Sequence, residues 1–180
     1  MKTKNITQVG LLAAFIAVLG LFPPIPIPII PVPITLQSAG AMLAGTLLGR
    51  RWGFISVGVF LLIVLAGMPL LSGGRGGIQS FLAPTGGFLI GWAVGAYVIG
   101  LLTEKSKKNF ILILTANFIG GIIVVYLIGS LQLSLYTGIP YFKALVANFV
   151  FIPGDLIKAT IATLIGVKVL KQKTKENGEL

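Results

Sequence analysis

Long apolar runs fill almost the whole of this chain, and only short proline-, glycine- or lysine-rich segments break them. That pattern constrains the fold more than any single motif. A backbone in hydrocarbon must satisfy its own hydrogen bonds, so apolar runs of this length can cross a membrane only as helices. Charged residues make up 10% of the chain, against ~25% in soluble domains. With hydrophobic residues at 56% and a mean hydropathy of +1.01, the reading is an all-α integral membrane protein. Its 180 residues form one domain, 1–180.

The net charge of +10 does not point to nucleic acid, because the basic residues cluster between apolar runs instead of forming one face. Cys and His are both absent, which removes disulfides, thiolate chemistry, haem ligation and nearly every zinc or copper site. No cofactor or metal is expected. Nor does any Gly-Lys pair occur, so the chain holds no phosphate-binding loop and cannot hydrolyse ATP unaided.

The spacing predicts six transmembrane helices, beginning with a span over about 6–22. Lys2 and Lys4 before it resemble the start of a signal peptide. No small-residue cleavage site follows, so it reads as a retained first span. Gly10, Ala13, Ala17 and Gly20 form a narrow stripe of small residues along it. Such a stripe admits another helix closely, either of this chain or of a partner. Six prolines then fall between Pro23 and Pro33, which forbids helix. An apolar, stiff, uncharged loop of this kind suits a cover over an apolar cavity, or a rigid connector in the interface.

Spans two and three are expected at about 34–49 and 52–71, separated by Arg50 and Arg51. Gln37 stands near the start of the second, and Trp52 is placed as an interfacial anchor. Residues 72–87 are rich in glycine and bring Arg75, Gln79 and Thr85 near one another, which suggests a binding loop. Span four, about 85–102, repeats Gly87, Gly91 and Gly95 at steps of four. Span five runs from about 109 to 128 or a little beyond. The last apolar region, 142–170, would be a ~44 Å helix if unbroken, too long for one crossing. Pro153-Gly154 offers the break, giving a short outer piece, 142–150, and a sixth span from about 154 to 170.

Asp155 then lies in the first turn of that sixth span, among apolar residues, with Lys158 one turn on. An ionised carboxylate within a membrane costs ~2.5–3.5 kcal/mol on insertion scales. The pair is an ion pair that pins helices or a polar site that holds a small polar solute, and the second reading is favoured. An intramembrane enzyme using Asp155 as a base is a further alternative, poorly supplied with other catalytic groups. One side of the membrane carries eleven Lys and Arg and the other only Arg75 and Lys143, so both termini are expected in the cytoplasm. The proline loop, the Gly-Arg loop and the start of span six would then meet at one outer mouth.

Together these residues resemble the BioY family, the biotin-specific substrate-capture (S) components of energy-coupling factor transporters. The resemblance rests on Ala13-x-x-x-Ala17, the proline-rich first loop, Gly73-Gly-Arg-Gly-Gly77, Ala83-Pro-Thr-Gly-Gly87 and Pro153-Gly-Asp-Leu-Ile-Lys158. It implies an S-component-like bundle that binds biotin from outside and is not an enzyme. The implied partners are a membrane-embedded coupling subunit and two cytosolic ATPases. Gly10, Ala13 and Ala17 become partner contacts; Arg75, Gln79, Thr85, Asp155 and Lys158 become substrate contacts. In the preferred pose Asp155 accepts from the ureido N–H groups, Lys158 donates to the ureido carbonyl or a water near it, and Arg75 takes the carboxylate; the reverse pose puts the carboxylate on Lys158 with Asp155 as that lysine's partner. The alternative within this class is a site for thiamine or riboflavin, for which more aromatic stacking residues are expected than two tryptophans.

Overall fold

The computed structural model describes residues 3–106 and 108–176, with side chains to 172. Lys2 and Lys107 of the charge count, and the side chains of Lys173 and Lys175, lie outside that description. Helix α1, Thr3–Leu19, buries Val9, Leu12, Ala13 and Ile16. The proline loop that follows is not helical but closed: Ile25 and Ile34 exchange both backbone hydrogen bonds at 2.9 Å. The loop turns Ile30 and Val32 into the core beneath it.

Helix α2, Gln37–Leu65, contains a reversal at Gly49 (φ 76°, ψ 179°), a conformation open to glycine and strained for other residues. The two arms, 37–48 and 50–65, fold back on each other. A Cβ on Gly53 would lie 2.8 Å from the Gly45 Cα, whereas eight residues along a straight helix span about 12 Å. The second arm stops at Leu65 and not at 71, because Gly67 (φ 104°) and Pro69 end it. In the following loop Leu71 and Arg75 pair antiparallel around Gly73 and Gly74, both with positive φ, the geometry of a tight reverse turn.

A short helix α3, Ile78–Leu82, leads into α4, Gly86–Thr103. Helix α4 is the centre of the bundle, with 67% of its residues buried. Its step-of-four glycines seat the neighbour closely: a Cβ on Gly87, Gly91 or Gly95 would meet Ile128, Val125 or Gly120 backbone. Helix α5, Phe110–Phe118, is started by Asn109, whose Oδ1 accepts from the Ile111 and Leu112 amides. A π-helical turn, Ile119–Val124, passes directly into α6, Val125–Thr137, which Gly138 ends in the left-handed conformation. Span five thus extends well past 128.

Helix α7, Tyr141–Ala147, and a 3-10 turn, Asn148–Phe151, precede α8, Ile152–Glu176. Pro153 sits in the first turn of α8, where its missing N–H costs nothing. Among the described residues, four helical stretches are long and apolar enough to cross a membrane: Gln37–Leu65, Gly86–Thr103, Phe110–Thr137 and Tyr141–Gln172.

Candidate functional site

One cavity opens between the proline loop, the glycine loop and the ends of α2, α4, α6 and α8. The proline loop supplies Val32, Pro33 and Thr35; α2 supplies Gln37 and Ser38; the glycine loop supplies Leu71 and Arg75. Phe88, Leu89 and Trp92 come from α4, Tyr126 from α6, Phe151 from the 3-10 turn, and Asp155 and Lys158 from α8. Apolar walls with a few convergent polar groups are the usual build of a small-molecule site.

At its floor lies a buried ion pair. Lys158 Nζ is 2.7 Å from Asp155 Oδ1, and the two residues are 7% and 8% exposed. The spacing of three places both on one face of α8, and the first turn of the helix favours the carboxylate through the dipole. Lys158 also donates to the Thr35 carbonyl at 2.8 Å and the Ser38 hydroxyl at 3.1 Å, so its three N–H groups are all used. Asp155 Oδ2 accepts from the Tyr126 hydroxyl at 2.7 Å. Each carboxylate oxygen therefore has one partner and acceptor capacity to spare.

Arg75 reaches the same cavity from above, half-buried. Its Nε donates to the Ser72 carbonyl at 3.3 Å, and its terminal nitrogens have no partner among the described residues. Burial lowers its pKa, yet a guanidinium stays ionised at any physiological pH. It is a cation with donors to offer. Thr85 lines the cavity, its hydroxyl only 3.5 Å from the Ser80 carbonyl.

Gln37 lines the cavity but is spent on structure. Its amide donates to the Ile16 and Leu70 carbonyls and accepts from the Ser72 amide, which ties α1, α2 and the glycine loop together.

Two expectations need correction. Gln79 is exposed on α3 and absent from the cavity wall, because residues 78–82 coil into a helix and turn it outward. Ala13 is buried, 5% exposed, in the chain's own core; Ala17 is half-buried, and Gly10 alone of the three is exposed, with nothing near it. The sequence reading also missed Tyr126 and Ser38. A charged residue in an apolar run invites a search for partners, and every nearby hydroxyl was a candidate. Four aromatic rings, not two tryptophans, line the cavity, but Phe88 and Tyr126 meet Phe151 edge-on or tilted at about 6.5 and 6.4 Å.

A second polar cluster lies further in, about two turns along α8 from Asp155. Thr46 Oγ1 donates to Asn117 Oδ1 at 3.1 Å, Asn117 Nδ2 to Thr163 Oγ1 at 3.0 Å, and Thr163 to the Ala159 carbonyl at 2.7 Å. All three residues are buried.

A helical bundle with a polar, ion-paired cavity under two loops defines a membrane-embedded solute-binding protein. The chain belongs to the BioY family, whose family model matches residues 1–175. It is 47% identical over 177 residues to the biotin transporter BioY of Rhizobium etli, covering 94% of this chain and 95% of that one. Against the biotin transporter BioY of Lactococcus lactis subsp. cremoris the identity is 44% over 175 residues, covering 95% and 93%. A solved crystal structure, that of the S-component for biotin from an ECF-type ABC transporter, superimposes with a TM-score of 0.90. It is 43% identical, over 94% of this chain and 92% of that one.

Proposed function

We propose that this chain is the biotin-capturing S component of an energy-coupling factor transporter, a binding subunit and not an enzyme. The observation that carries the reading is the buried Asp155 carboxylate, held on both oxygens and still able to accept, at the floor of an apolar cavity with Arg75 at its mouth. Biotin has two ureido N–H donors at one end and a carboxylate at the other, which suits an acceptor deep and a cation shallow. Thr85 contributes a hydroxyl to the wall. Lys158 has no free donor, so it anchors Asp155, Thr35 and Ser38, and a ureido carbonyl must share its ammonium or take the Ser38 hydroxyl.

The chain crosses the membrane six times, the two arms of α2 counting separately, with both termini in the cytoplasm and the cavity open outward. The balance of Lys and Arg supports this orientation. The exposed face of α1 around Gly10 meets a membrane-embedded coupling subunit, and two cytosolic ATPases drive release. Equilibrium binding to the purified chain tests the reading: biotin binds, and thiamine and riboflavin do not compete. Tighter binding of either competitor sinks it.

A further inference from the structure

We infer that the π turn at Ile119–Val124 sets the register that delivers Tyr126 to Asp155, which makes Tyr126 the positioning residue of the site. The biotin reading enters only through the ligand used in the first test.

The argument is one of counting. Asp155 and Thr163 are eight residues apart on α8, and each is bonded to the facing helix, by Tyr126 and Asn117 respectively. At about 100° per residue, eight residues bring Thr163 round to within about 80° of Asp155, so the two share a side. Their partners are nine residues apart. Nine residues of unbroken α-helix turn through about 900°, which leaves Asn117 and Tyr126 on opposite faces. No straight α-helix could offer both to α8. The π turn between them closes its hydrogen bonds one residue later than an α turn, so it absorbs one extra residue. Nine residues then cover the rotation of eight, and both side chains come round.

Why the widened turn fits here is also legible. It contains Gly120 and Gly121, and a Cβ on either would strike α4 at Ile99 or α2 at Met42. The consequence reaches the cavity. Lys158 holds Oδ1 from within α8, and Tyr126 holds Oδ2 from α6. The plane of the carboxylate is fixed from two helices, with its remaining lone pairs available to paired N–H donors. Tyr126 thus acts on ligand choice through Asp155.

The test compares biotin with an analogue methylated on a ureido nitrogen, by calorimetric titration of the full-length purified chain. Tyr126→Phe is expected to weaken biotin roughly 10- to 100-fold, the worth of a hydrogen bond to a charged group. It should weaken the methylated analogue far less, so the preference for biotin shrinks. Equal loss for both ligands would make Tyr126 a packing residue and overturn the inference. Two backbone variants read the register. An alanine inserted after Gly120 turns Tyr126 away by about 100° and should reproduce the Tyr126→Phe pattern. Deleting Gly120, which touches α4 and not the cavity, leaves eight residues and an unbroken α-helix, and should keep the parent's preference. A deletion that behaves like the insertion contradicts the counting. Should the parent fail to bind biotin, the function reading falls alone. The register is then tested by thermal unfolding of Tyr126→Phe, Asp155→Asn and the double variant, where strictly additive effects would refute it.

Discussion

Two polar clusters each tie α2 and α8 to a third helix, and they differ in what they leave unspent. The outer one joins α2, α6 and α8 through Ser38, Tyr126, Asp155 and Lys158. The inner one joins α2, α5 and α8 through Thr46, Asn117 and Thr163. Both are buried, save for the half-buried Ser38, and both span three elements far apart in sequence. What separates them is unspent capacity. In the inner cluster the hydroxyls and the amide serve one another, and none is charged. In the outer cluster a carboxylate keeps acceptor sites open and faces a cavity. A polar group inside a bundle is a structural bolt when its hydrogen bonds close on themselves, and a binding site when they do not and there is space beside it.

Asp155→Ala should break the comparison most violently. It strands the Lys158 ammonium in a buried site, a loss of about 3–5 kcal/mol for a broken buried pair, and it removes the proposed acceptor. Thermal unfolding should fall by many degrees and biotin binding should disappear. Retained binding would mean that the ligand sits elsewhere.

Asn117→Leu sharpens the contrast. It deletes both Asn117 hydrogen bonds and leaves the Thr46 hydroxyl to find another acceptor, while Thr163 keeps its bond to the Ala159 carbonyl, at about 1–3 kcal/mol. Stability should drop measurably in a melting experiment while biotin affinity stays within about threefold, well under the 1.4 kcal/mol that a tenfold change represents. A tenfold loss of affinity would show that the two clusters are one system.

How far these clusters could be read from sequence follows from their chemistry. Asp155 and Lys158 stood out because charge in an apolar run is expensive and has few innocent explanations. Arg75 and Thr85, which line the cavity, were legible through the glycine loop that carries them. The class of fold was legible from apolar length alone, and the break at Pro153 from the limit on helix length. Tyr126 was invisible for two reasons: a tyrosine in an apolar helix looks like core, and the π turn shifts its phase by a residue that no 3.6 periodicity registers. Thr46, Asn117 and Thr163 are small or neutral and scattered over 118 positions, so only the tertiary fold reveals them as one network. Gln79 lies off the cavity because five residues of the glycine-rich segment coil into a helix, which glycine content alone does not reveal. Ala13 was misplaced because a stripe of small residues cannot say which helix it admits.

The smallest effect on binding should come from α1. Gly10→Leu fills an exposed, empty face and should leave biotin affinity of the isolated chain unchanged. Uptake by cells carrying the whole transporter should fall. Equal loss in both measurements would return that face to the internal bundle.

The claim at the centre is that spare acceptor capacity at Asp155 takes the ring of the ligand while Arg75 takes its charged end. Titrating biotin and biotin amide into the parent, Asp155→Asn and Arg75→Ala tests it directly. The account predicts that Asp155→Asn weakens acid and amide alike, and that Arg75→Ala weakens the acid more than the amide and so erases the preference between them. If Lys158→Ala erases that preference and Arg75→Ala leaves it intact, the ligand lies with its carboxylate at the floor and the account is contradicted.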